Sequence, residues 1–252
     1  MIAPAELLPI VAELEYFARA RLAKAALPGG IALRDSRVDD VATDLGAYFL
    51  AALERATSTI AKDVAWSWDP DDAIAWAKEE AILEGVLEAW YLTLGADAFA
   101  GVSEQLAVDL AFDVSNDLVA EVLDQVALEV TRITEQTRTV LRNLVERAAA
   151  EGSSIETLTK EIRSTFTAWS TGRARTIALT ETANAYNQAS LAGYATTGLV
   201  EKVEVFDGPD CGWTHHEDPD LAHGSIRTLE EAKRHPIAHP NCQRAFGAVV
   251  AR

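Results

Sequence analysis

Both cysteines and all five histidines of this 252-residue chain fall between Glu201 and Phe246. In order they are Cys211, His215, His216, His223, His235, His239 and Cys242, with the last two inside His239-Pro240-Asn241-Cys242. Sulfur and imidazole groups ligate metals, form bridges or act as nucleophile and base, so any special chemistry belongs to this window. Two short Cys/His pairs parted by a long loop have the layout of a tetrahedral zinc site, with Cys211, one of His215 and His216, His239 and Cys242 as ligands. Such a zinc would be structural, because a loop-rich window with few core-forming residues needs a staple. Three other states stay open at this point: unligated side chains packed or hydrogen-bonded in place, a bridge between the cysteines, and a catalytic site. A catalytic thiolate needs an oriented base and an oxyanion site, and no segment supplies an evident one, so no catalytic residue is assigned.

The window needs a platform. A helix from near Arg173 to about Thr196 carries Arg173, Ile177, Thr180, Asn184, Asn187, Leu191 and Tyr194 on one face. Polar side chains set into an apolar stripe cost free energy unless each finds a partner. Thr180, Asn184 and Asn187, with the adjacent Glu181, are therefore expected to bond irregular backbone in the window and support it. The alternative is a solvent-exposed face. Lys202 to Phe206 alternates apolar and charged residues and predicts a short strand with Val203 and Val205 on one side. Asp207-Gly208-Pro209-Asp210 predicts a turn, Thr228 to Arg234 a turn or two of helix, and Phe246 to Val250 a second strand pairing with the first.

Upstream the pattern is helical. Apolar periodicity predicts helices from Pro4 to Leu27, ended by Pro28-Gly29-Gly30, and from Val38 to Trp66, with Val41, Leu45, Phe49, Leu53 and Ile60 at helical spacing. A third opens at Asp69-Pro70-Asp71-Asp72 and loosens at Gly95 and Gly101. Val119, Leu123, Val126, Val130, Ile133, Thr137, Val140 and Leu144 follow a heptad seam and predict one long helix, reaching back toward Ser103, that packs within its own bundle or against another subunit. Small residues at Ala148 to Gly152 predict a hinge. Ser153 with Glu156 reads as a capping box for a helix from Ile155 to Trp169. The expected division is a helical domain over residues 1–150 and a smaller α+β domain over 151–252 with a short two-stranded sheet and irregular loops.

The formal net charge of −17 opposes broad binding to phosphate backbones. Arginines cluster at Arg163, Arg173 and Arg175, and at Arg132, Arg138, Arg142 and Arg147, and both clusters read as solvated helix faces. Aromatic residues make up only 7% of the chain, which favours helices packed through small residues over an aromatic-rich sandwich. The N-terminal stretch is interrupted by Glu6, Glu13 and Glu15 and is not expected to be a signal peptide, nor does any apolar run reach membrane-spanning length. A soluble protein of a reducing compartment is expected, where paired cysteines more often bind metal or stay free than cross-link.

Four motifs in a fixed order, Ser154 to Arg163 (SIETLTKEIR), Arg173 to Asn187 (RARTIALTETANAYN), Val203 to Cys211 (VEVFDGPDC) and His239-Pro240-Asn241-Cys242, resemble the phage Mu F-like minor head protein family. The resemblance spans roughly Gly152 to Val250. It implies a mainly α protein whose C-terminal part is a Mu F-like domain. The implied role is a structural minor capsid, or head morphogenesis, protein of a tailed phage that acts in head assembly or DNA packaging and exit. The implied partners are the portal protein, around whose ring several copies would sit, and major capsid or scaffold proteins. The implied location is the virion, inside the head near the portal vertex, after assembly in the host cytoplasm, with DNA only nearby and no membrane contact. Family members carry further cysteines where this chain has histidines after Cys211 and has Arg244. The competing reading is an enzyme, a metal-dependent nuclease or a Cys/His hydrolase centred on residues 211–242.

Overall fold

The protein is mainly helical, with a small three-stranded antiparallel sheet. The computed structural model describes residues 30–60, 69, 71, 74–207 and 223–250. The expected first helix, the break at Pro28-Gly29 and the turn at Gly208 to Asp210 lie outside these residues. The elements in order are α1 (Gly30–Ile60), α2 (Trp76–Leu106), α3 (Asp117–Glu151), α4 (Ile155–Ala168), a π-helical turn (Trp169–Arg173), α5 (Ala174–Thr197), β1 (Lys202–Phe206), β2 (Ile226–Thr228), α6 (Leu229–Arg234) and β3 (Ala245–Val249).

Two compact units divide the chain. One holds Leu94–Val119 and Leu179 onward together with the residues up to Ser36, and the other holds Arg37–Thr93 and Ala120–Ala178. Helix α3 ends at Glu151 and Gly152 takes φ 63°, and the residues on both sides of this point belong to the second unit.

In the second unit the buried residues follow helical spacing. Val41, Leu45, Phe49 and Leu53 of α1, Leu83, Leu87 and Tyr91 of α2, Leu141 of α3, and Leu158, Ile162 and Phe166 of α4 are all buried. The heptad positions of α3 are buried except Leu123 and Val140, which are half-buried, so most of the seam is covered within one chain. Arg55 and Glu79 form a two-pronged ion pair at 2.6 and 2.7 Å that ties α1 to α2. Gly46 marks a close approach: a Cβ there would meet the Ser170 carbonyl oxygen of the π turn at 2.5 Å.

Three expectations are corrected. Gly95 does not loosen α2, because it lies inside the helix and leaves room for the Phe112 ring, which a Cβ would meet at 2.6 Å. The long helix does not reach back to Ser103. Asp113 accepts from the Ser115 amide and hydroxyl, and Asn116 Oδ1 accepts from the Leu118 amide, so two short polar side chains close a turn and cap α3. The cap of α4 is Ser154, not Ser153, since Ser154 Oγ accepts from the Thr157 amide at 3.1 Å.

The sheet of the first unit has the order β2-β1-β3. It holds three strands where two were expected, because the short segment Ile226–Thr228 also pairs with β1. The β1–β3 register runs from Lys202↔Val249 to Phe206↔Ala245. Val203 and Val205 are fully buried and share a core with Leu191 and Tyr194 of α5, Phe246 of β3 and Ala232 of α6. Thr228 and Glu231 complete a capping box at the head of α6.

Substituting Gly46→Ala should destabilise the protein by about 1–3 kcal/mol, because the new methyl meets a backbone oxygen that cannot step aside. Exposed Gly85, with nothing within 4 Å of its would-be Cβ, is the control, and Gly85→Ala should stabilise by roughly 0.5–1 kcal/mol. Urea melts of both variants check the opposite signs.

Candidate functional site

Antiparallel pairing brings the ends of the Cys/His window together. The register that pairs Phe206 with Ala245 places the next residues, Asp207 and Arg244, opposite each other. They form a buried ion pair: Arg244 Nε donates to Asp207 Oδ1 at 2.7 Å and NH2 to Oδ2 at 3.3 Å. Arg244 has 0% of its surface exposed, the largest side chain so enclosed among the described residues, and Asp207 has 8%. Its NH1 donates to the His235 carbonyl at 3.2 Å. A charge this deep is tolerated only with an opposite charge and with its remaining donors bonded.

The Arg244 peptide is pinned as tightly as its side chain. Asn187 Nδ2 donates to the Arg244 carbonyl at 2.9 Å and to the Pro236 carbonyl at 2.7 Å, and Arg34 NH1 donates to the same Arg244 oxygen at 3.0 Å. About two turns earlier on α5, Thr180 Oγ1 accepts from the Asn241 amide at 3.1 Å. Asn241 takes φ 63°, a left-handed conformation that asparagine adopts more readily than most residues. Asn184 is buried and accepts from Gln188 Nε2 at 2.9 Å, and Glu181 is buried beside Thr180. Tyr194 donates to Gln105 Oε1 at 2.6 Å and lies 3.3 Å from the Phe246 carbonyl, and burial holds its pKa well above the usual phenol range.

Of the five predicted ligands, His239 and Cys242 are brought together and both are buried. The Cys242 amide donates to the His239 carbonyl at 3.1 Å, closing a tight turn. Cys242 Sγ accepts two backbone amides, from Ala238 and Arg244, each at 3.4 Å. His239 Nδ1 lies 2.7 Å from the Pro240 carbonyl, which can only accept, so Nδ1 carries a proton. A ligating histidine is oriented in this way by a carbonyl on its other nitrogen. Cys211, His215 and His216 lie outside the described residues, and among the described residues no group of three or more His, Cys, Asp and Glu is placed to hold a metal.

Arg244 is the residue at the centre of this buried network that residue types alone did not single out. Its place shows only in the observed strands: it directly precedes β3, which begins at Ala245, as Asp207 directly follows β1, whereas the predicted strand began one residue later, at Phe246. Among the arginines read as solvated faces, Arg163 and Arg175 are exposed, whereas Arg173 is half-buried, its guanidinium 4.5 Å from the Trp169 ring centre and 5.3 Å from that of Phe49. Comparisons with protein-family models, with curated proteins and with solved structures give no match.

Arg244→Met strands the Asp207 carboxylate and should cost about 3–5 kcal/mol. The pair Asp207→Leu with Arg244→Met should cost less than the sum of the single changes, because no orphan charge remains. Denaturant unfolding of the four proteins in this cycle checks the sign of the coupling; additive costs would mean the two groups do not act together.

Proposed function

We propose that the protein is a structural minor capsid protein of a tailed phage, a head morphogenesis component held at the portal inside the head, with no enzymatic turnover. In this reading the C-terminal region, residues 151–252, is a Mu F-like domain and the long helices before it dock on the portal ring in several copies. The observation that carries the reading is the ordered set of motifs from Ser154 to Cys242. What supports it further is the use made of those motifs' polar residues: Thr180 and Asn187 of the second motif bond the backbone at Asn241 and Arg244, next to the closing His-Pro-Asn-Cys. Side chains engaged with their own backbone serve a fold before a substrate.

A structural zinc fits the same reading. His239 and Cys242 would hold it together with Cys211 and one of His215 and His216, and its chemistry would be that of a cross-link, joining the two ends of the window. The protein's own residues prepare two of those positions, by the amide bonds to Cys242 Sγ and by the carbonyl that sets the His239 tautomer.

Co-expression with the portal protein of the same genome, followed by sizing and metal analysis, tests the proposal. The expected result is a complex with several copies of this chain per portal ring and about one zinc per copy. Failure to co-elute would oppose the portal assignment. Cleavage of DNA or peptide by the purified protein, lost in Cys242→Ser with the fold retained, would instead establish the nuclease or hydrolase reading.

A further inference from the structure

Within the second unit an open cleft of about 510 Å³ is lined by Arg132, Glu135, Gln136, Thr139 and Val140 of α3 with Trp169 and Arg173 of the π turn. It shares no residue with the Cys/His window. Its walls are mainly apolar, supplied by Trp169, Val140 and the stems of longer side chains. Among the lining side chains is Arg173, half-buried, its guanidinium stacked on Trp169 and Phe49.

The surroundings of Arg173 are unusual for an arginine. NH1 donates to Thr137 Oγ1 at 3.0 Å, and NH2 donates to the Ile133 carbonyl at 3.0 Å and to Gln136 Oε1 at 3.4 Å. All three acceptors are neutral oxygens. Every other arginine of the cleft and its rim is matched by an acid: Arg132 by Glu129 and Arg138 by Glu135. Burial without a carboxylate pushes the Arg173 pKa down to about 10, so the group stays charged at neutral pH in a place that disfavours charge. A π turn of this kind inserts an extra residue into a helix, and such insertions recur at sites of function. Here it sets Trp169 beneath Arg173, and Gly46 of α1 is bare where the turn's Ser170 carbonyl comes close.

We propose that this cleft binds an apolar monocarboxylate, its carboxylate against Arg173 and its hydrocarbon or aromatic part along Trp169 and Val140. One positive charge with no carboxylate partner among the described residues calls for one negative charge. Glu135 at the rim and the net charge of −17 work against phosphate dianions and nucleic acid. The apolar walls exclude a small hydrated anion as the natural occupant, since it would leave them wet. Two sources share this chemistry, a free small organic acid and the carboxyl-terminal end of a peptide chain with an apolar last residue.

Isothermal titration calorimetry of the full chain distinguishes them. The probes are phenylbutyrate against phenylbutanol, and a short leucine-ending peptide with a free against an amidated carboxyl terminus. At least one carboxylate probe should bind with a Kd near or below about 1 mM, and its neutral partner about tenfold or more weakly. Phenylbutyrate alone would identify a free acid as the ligand, and the peptide alone a chain end. Arg173→Met should abolish the preference for the carboxylate. Thr139 is exposed at the mouth, so Thr139→Trp should block the cleft and abolish binding without touching the core, and it stands as the test if the Arg173 variant fails to fold. Equal binding of acid and alcohol, binding undiminished in Thr139→Trp, or no binding of either carboxylate at millimolar concentration would overturn the proposal.

Discussion

Arg244 carries a full charge with none of its surface open to solvent, and the segment around it in the first unit is arranged to satisfy it. Asp207 supplies the counter-charge across the register of β1 and β3, and the His235 carbonyl takes one of the remaining donors. The pair contributes little net stability by itself, because desolvating both ions offsets most of their attraction. Its consequence is geometric. Any displacement of the segment from His235 to Arg244 strands a buried charge, so this irregular stretch of backbone has one arrangement that costs little and many that cost several kcal/mol.

Helix α5 completes the constraint from the other side. Its Asn187 and Thr180 take over peptide groups that a loop cannot pair with itself, and Tyr194 lies against the β3 backbone. The His239-to-Cys242 turn is consequently positioned before any ligand is considered. That order of events explains how His239 and Cys242 can be presented with a defined tautomer and a sulfur already accepting amides.

Much of this was legible in the residues. The alternation of Lys202 to Phe206 defines β1 because one side of that strand is core and the other is not, and α5 betrays its partner by carrying Thr180 and Asn187 where an ordinary helical core would be apolar. Other features are invisible to periodicity for physical reasons. β2 is three residues long with no buried member, so it has no alternation to read. The start of α3 depends on which of several short polar residues caps it, and Asn116 is chosen by the turn that Asp113 closes. The π turn and the stacking of Arg173 come from packing across helices distant in sequence, which no local window contains.

Native-state hydrogen exchange tests the central claim most directly, because it reads the opening of individual amides. If the buried pair and its α5 bonds hold the segment in one arrangement, the amides of Asn241 and Arg244 will open only in events about as costly as those that release Val203 and Leu191 in the core. Exchange of those two amides at the rate of fraying loops, while Val203 and Leu191 stay protected, would contradict it.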